Sequence, residues 1–292
     1  MPSFDTSLAA ARRAADAAFD RHLGRAGLAG LARVAPGWTA RYVVSRFLQP
    51  PRSRATRPAE VAFAEHIEPV QLADDLFVAE VGRGAPVLLV HGWGSRATRL
   101  HAIARAIADG GRRAVLVDLP GHGRSAGRTV SPPDAATALL RVGRALGPFD
   151  AVVGHSFGGA AAALALARGL PAARLVMIAS PSAYARVFDR VLDRVGLEGP
   201  ARDRAVQELE RRIGQPLRDV DVEVVAPRLS DRPLLVAHDP ADDEVPFEDA
   251  LRNARVWAGA ELLRLDGAGH RAILEQPDLH RALLGFLERT DR

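Results

Sequence analysis

The 292-residue chain contains no cysteine and no lysine. Without thiols there can be no disulfide, no thiolate metal site and no cysteine nucleophile. Without lysine there can be no phosphate loop ending in Gly-Lys, and no G-x-G-x-x-G follows a strand pattern either. A membrane-spanning run is also missing. The longest stretch free of Asp, Glu and Arg is 151–167, 17 residues, short of the ~18–20 that cross a bilayer. Arg12, Arg13, Asp16 and Asp20 interrupt any apolar leader, so no secretory signal is visible and a cytoplasmic location is expected. No His/Asp/Glu cluster has metal-ligand spacing, and the acidic run 239–244 lacks the glycine of a calcium loop. Neither a metal nor a cofactor is expected.

Hydrophobic residues make up 48% and charged residues 25%, the composition of a globular protein with a sizeable core. All 39 basic residues are arginine. The sequence pI near 10.6 reflects the pKa of Arg, above about 12. The net charge is only +4, so no nucleic-acid partner is expected. The charge is uneven, however. Residues 1–60 hold ten arginines against Asp5, Asp16, Asp20 and Glu60, a local +6.

Residues 4–35 carry Leu8, Ala11, Ala15, Phe19 and Leu23 at helical spacing, weakened by Gly24, Gly27 and Gly30. A second helix is expected from Trp38 to Leu48, stopped by Pro50-Pro51, with a linker over 52–58. Residues 1–59 thus form a basic helical extension. It either packs on the main domain or, through residues 1–57, rests on an anionic membrane surface.

From residue 60 the grammar changes. Val61–Glu68 and Leu76–Val81 read as an opening antiparallel pair, with Gly82-Arg83-Gly84 as a hairpin turn. Strand and helix signals then alternate: strands at 87–90, 114–117, 151–153, 175–178, 234–237 and 262–265, with helices at 98–108, 133–146, 160–167 and 277–287. The continuous apolar strand runs imply a mostly parallel sheet covered by helices on both faces. Residues 182–229 break the rhythm with Val187, Val191, Val195 and Val206, Leu209, Ile213 at helical spacing. They read as a small cap inserted between core parts 60–181 and 230–292, placed to roof a site at the strand ends.

The central motif is Gly154-His155-Ser156-Phe157-Gly158, a G-x-S-x-G between a strand signal and a small-residue helix. A side chain at Gly154 or Gly158 would collide with the neighbouring strand or helix. Ser156 would then stand at a helix amino end, where backbone N–H groups and the helix dipole favour negative charge. Three further motifs sit at strand ends: His91-Gly92-Trp93-Gly94, the acidic run Asp239 to Pro246, and Gly267-Ala268-Gly269-His270. Asp118 to Ser125, reading D-L-P-G-H-G-R-S, is a fourth.

With serine, acid and histidine in that order, the chain from about Val61 onward resembles the α/β-hydrolase superfamily, in particular bacterial serine-esterase and lipase-like members with a short cap. The resemblance implies an α/β-hydrolase fold and a cofactor-free serine hydrolase of carboxylic esters. Its substrate would be a small-molecule ester with a small or medium acyl group. The implied roles are Ser156 as nucleophile, His270 as base and Asp242 as the acid, since the acid stands three residues before Val245-Pro246. Asp239, Asp243 and Glu244 compete for that role, and Asp239 stands where the family usually has glycine. The alternative acid slot, at Ala179-Ser180-Pro181-Ser182, holds no carboxylate. The oxyanion donors would be the backbone N–H groups of Trp93 and Phe157, with Trp93 and His91 at the substrate pocket. His91, His122 and His155 read as structural rather than acid–base residues, and Asp118 as a turn former. Acyl transfer and amide, thioester or C–C bond hydrolysis run on the same residues. Membrane-associated lipid hydrolysis and non-catalytic ligand binding are the rivals from other classes.

Overall fold

The structure, a computed structural model, describes residues 25–52, 57–229 and 231–289. The expected amino-terminal helix before Arg25 lies outside the described residues. In chain order the elements are helices α1 (Arg25–Val34), α2 (Pro36–Phe47) and α3 (Pro58–Ala64), then strands β1 (Glu68–Ala73), β2 (Leu76–Gly82) and β3 (Pro86–Val90). A 3-10 turn (Ala97–Leu100) leads into α4 (His101–Asp109), followed by β4 (Arg113–Val117), α5 (Pro132–Leu146), β5 (Phe149–His155), α6 (Phe157–Ala167) and β6 (Ala172–Ile178). Next come α7 (Tyr184–Val195), α8 (Gly199–Ile213) and the short α9 (Val222–Val225). The chain closes with β7 (Leu234–His238), α10 (Phe247–Val256), β8 (Glu261–Arg264) and α11 (Pro277–Glu288).

The contacts divide these into two compact units. The larger holds 52–184 and 218–292 and contains an eight-stranded sheet in the order β1-β2-β4-β3-β5-β6-β7-β8. β1 and β2 pair antiparallel, as do β2 and β4; all later neighbours are parallel. The central strands are buried throughout because each run is apolar from end to end: Val87–Val90, Ala114–Val117, Leu175–Ile178 and Leu234–Ala237. Strands covered on both faces have no polar side to show. The switch in strand order falls between β3 and β5, and such a point opens a crevice at the strands' carboxyl ends. α5 starts where it does because Ser131 and Asp134 form a reciprocal capping box ahead of Pro132-Pro133, a device that stabilises a helix by about 1 kcal/mol.

Two sequence expectations are corrected here. Val61–Glu68 is not a strand. Residues 58–64 are helical, with Pro58 in the first turn and Glu60 and Phe63 buried. Those two, with Ile67 beyond them, are spaced for a helix face, and Glu60 is held there by Arg96 at 2.5 Å. The first strand begins only at Glu68, and it still pairs antiparallel with β2. Gly82-Arg83-Gly84 is not a hairpin turn either. β2 and β3 are not neighbours, because β4 lies between them and pairs with both.

Among the described residues the smaller unit joins 25–51 with 185–217. Within it α2 packs on α8, and the Phe47 and Phe188 rings lie 4.7 Å apart. α2 buries Thr39, Ala40, Val43 and Val44. On its other side Trp38, 46% exposed, stacks on Tyr42 at 5.3 Å. Among the described residues no helix is long and apolar enough to cross a membrane.

Candidate active site

All residues of the site belong to the larger unit and follow the carboxyl ends of β3, β5, β7 and β8. Ser156 follows β5 directly and caps α6 with φ 52° and ψ −124°. This backbone is one that a side chain adopts only under strain, of order 1–3 kcal/mol. Two hydrogen bonds hold it: Ser156 N–H to the Ile178 carbonyl at 2.8 Å, and Gly159 N–H to the Ser156 carbonyl at 3.0 Å. The flanking glycines are required by space. A Cβ on Gly154 would lie 2.4 Å from the Gly159 Cα, and one on Gly158 would lie 2.4 Å from the Val90 carbonyl oxygen. One collision is with the helix and the other with β3.

Ser156 Oγ lies 3.1 Å from His270 Nε2, and His270 Nδ1 lies 2.7 Å from Asp242 Oδ2. A carboxylate only accepts, so Nδ1 carries the proton and Nε2 presents its lone pair to the serine hydroxyl. Asp242 is held from four directions. Its Oδ1 accepts from the Glu244 and Val245 N–H groups at 2.8 and 2.9 Å. Its Oδ2 faces His270 and also His238 Nε2, 3.3 Å away. Burial by itself would raise the Asp242 pKa. The bonds from His238, His270 and Val245 outweigh it and hold the carboxyl well below the usual carboxylate range. Asp243 is exposed. Glu244 Oε2 is 3.9 Å from His270 Nε2, and its other oxygen pairs with Arg271 at 3.1 Å. The Asp239 carboxylate is turned to backbone amides.

The loop after β3 comes close to the serine. A Cβ on Gly92 would lie 3.0 Å from both Ser156 Cβ and His155 Nδ1, so a side chain here would crowd the serine. The loop is fixed by two histidines that use both ring nitrogens. His91 donates from Nδ1 to the Gly92 carbonyl and accepts the Leu119 N–H at Nε2. His122 donates to the Pro120 carbonyl and accepts the Gly94 N–H. Burial, as the largest cause, lowers their pKa values to about 4 and about 3. His91 is therefore no pocket residue. It is 0% exposed, with no surface left for a substrate. Trp93 packs edge-on against both His122 and Phe157, at 5.7 and 5.5 Å. Phe157 is the first residue of α6, and first-turn N–H groups have no partner within their own helix. Asp118 accepts from the Ala97 and Arg124 N–H groups and shapes its turn.

The sequence hides the partners of three residues around this site. His238 stands four before Asp242, and this spacing was its only signal. His155 donates from Nε2 to the His270 carbonyl at 2.8 Å, a contact 115 residues apart in sequence. Asp239 was weighed only as a rival acid. Among the described residues no group of three or more His, Asp or Glu is placed to hold a metal ion.

A strained serine after a parallel strand, with a histidine and an acid from later strand ends, defines an α/β-hydrolase arrangement. The alpha/beta hydrolase family model matches residues 87–281, about two thirds of the chain, and the chain belongs to that family. No curated protein matches the chain in sequence. Among solved structures it is similar to an esterase from Exiguobacterium antarcticum, with 20% identity, 76% of this chain and 99% of that one covered, and a TM-score of 0.59. It is also similar to a thermophilic esterase from Thermogutta terrifontis (25% identity, 73% and 92% covered, TM-score 0.53). A third is a meta-cleavage product hydrolase from Pseudomonas fluorescens (20% identity, 74% and 95% covered, TM-score 0.55). These likenesses speak to the fold.

Proposed function

We propose that the protein hydrolyses a carboxylic ester through an acyl-Ser156 intermediate. The observation that carries the reading is the unbroken chain from Ser156 Oγ through both nitrogens of His270 to Asp242. A serine hydroxyl is a weak nucleophile at neutral pH and needs a base within hydrogen-bond reach. In this reading His270 Nε2 takes the hydroxyl proton as Oγ bonds to the ester carbonyl carbon. The proton then passes to the departing alkoxide, and the C–O bond breaks. Water then gives a proton to the same nitrogen as its oxygen bonds to the acyl carbon, and that proton passes to Ser156 Oγ as the acyl–Oγ bond breaks and the acid leaves. Asp242 stays ionised, fixes the ring's tautomer and balances the imidazolium. In this reading the oxyanion is met by the Phe157 and Trp93 backbone N–H groups; the start of α6 at Phe157 supports the first of them.

Esterases among the similar structures support ester over other acyl substrates. The meta-cleavage product hydrolase among them keeps C–C bond hydrolysis as the second reading. Labelling with a fluorophosphonate, followed by p-nitrophenyl esters of increasing acyl length, tests the proposal. Ser156→Ala should abolish labelling and reduce turnover by at least about a thousandfold. Labelling that survives this change would remove Ser156 as the nucleophile.

A further inference from the structure

Asp239 is the first residue after β7, and its carboxylate is almost fully buried at 1% exposure. The hydrogen bonds of its side chain go to backbone amides, and its own carbonyl accepts the Asp242 N–H at 3.0 Å. Oδ1 accepts the Ala241 N–H at 2.9 Å and the Gly267 N–H at 3.3 Å, while Oδ2 accepts the Gly269 N–H at 2.5 Å. Gly267 and Gly269 have φ of 72° and 69°, left-handed values that turn alternate amides of the loop toward one point. Such a concave set of N–H groups binds anions, and here the anion is the protein's own side chain. The residue after Gly269 is His270, whose carbonyl is held from the other side by His155. The backbone is thus clamped before and after the imidazole.

We propose that Asp239 is a positioning residue for His270. Its carboxylate fills the amide nest of 267–269 and so ties the histidine loop to the acid loop, fixing the reach of the ring to Ser156 and Asp242. The inference rests on the reading of His270 as the base. Asp239 acts through another residue, so its loss should lower kcat and leave substrate binding alone. A shift of about 1 Å in a reacting group can cost on the order of 10²-fold.

The test uses p-nitrophenyl butyrate turnover by the full chain. Asp239→Asn, which has one carbonyl oxygen where three amides need acceptors, should lower kcat by about 10–100-fold, with KM within about twofold. In a His270→Ala background the same change should have less than about a twofold effect, because its target is gone. A residue that merely supports the fold would lower the remaining turnover by the same factor in both backgrounds, and that result overturns the proposal. So does an unimpaired Asp239→Asn beside a crippled His270→Ala. Full turnover by His270→Ala would instead remove the base assignment itself. Amide hydrogen exchange on the unaltered protein gives a readout independent of how the variants fold. The Gly267 and Gly269 protons should be protected, and exchange at the rate of open loop amides refutes the clamp.

Discussion

Replacing Asp242 with asparagine separates this acid from its neighbours more sharply than any deletion. The Oδ1 position faces two backbone N–H groups that cannot turn away, those of Glu244 and Val245. The amide oxygen of the substituted side chain must therefore sit there, and its NH₂ takes the Oδ2 position, 2.7 Å from His270 Nδ1. Two donors then face one another. His270 escapes by moving its proton to Nε2, which leaves a donor aimed at Ser156 where an acceptor is needed. The ring keeps its place and loses its function as a base. A wrong tautomer of this kind costs about 10⁴ in kcat, roughly 5 kcal/mol of transition-state stabilisation. The assay is kcat and KM on a p-nitrophenyl ester, together with the rate of fluorophosphonate labelling, with circular dichroism to show that the variant is folded. KM should change little, and labelling should slow with kcat. Asp243→Asn, at an exposed position, should stay within about twofold of the parent enzyme. Asp242→Asn activity within about tenfold of the parent, or a dead Asp243→Asn, would refute the reasoning.

Three further outcomes follow from the geometry. Gly158→Ala places a methyl 2.4 Å from the Val90 carbonyl; overpacking of this kind costs about 1–3 kcal/mol, so thermal unfolding should come several degrees lower, and an unchanged Tm would mean the turn is looser than described. Acid should destabilise the fold well before its carboxylates protonate. The His91 pKa is about 4 in the fold against 6.5 for an ordinary histidine, so its contribution is complete above pH 6.5 and lost as the pH falls toward 4. Between about pH 7 and pH 5 this amounts to about 2 kcal/mol, visible as a lower urea midpoint, and a flat or rising midpoint contradicts it. The membrane reading of the basic segment predicts that Trp38→Ser with Arg41→Glu weakens binding to phosphatidylserine vesicles, at about 1 kcal/mol for each charge near the surface. Equal binding to neutral vesicles would reject it. Point changes serve better than deletion of 1–57, because α2 is part of the packing of α8.

What was legible in the sequence was local. Ser156 announces itself because a tight turn admits only glycine at 154 and 158, and His91 and Asp242 each follow an apolar run that forms a buried strand, while His270 follows the short, half-exposed edge strand β8. Where reading failed, partners distant in sequence decided. Val61–Glu68 has the valine and phenylalanine of a strand, but Glu60 is held by Arg96 and Phe63 is buried, and both call for a helix face. Gly82-Arg83-Gly84 looks like a hairpin turn because nothing nearby says that β4, about thirty residues later, will lie between its flanking strands. The scaffold around His270 was hidden for the same reason. His155 reaches it across 115 residues, and Asp239 works through backbone amides that any sequence possesses.

The pairing of α2 with α8 has a consequence for the birth of the protein. About 150 residues separate the two helices, and ribosomes add roughly 5–20 residues per second. α2 therefore emerges roughly eight to thirty seconds before α8, one of its packing partners, is made. During that interval α2 has only its earlier neighbour α1 to pack against, so the smaller unit closes late in synthesis.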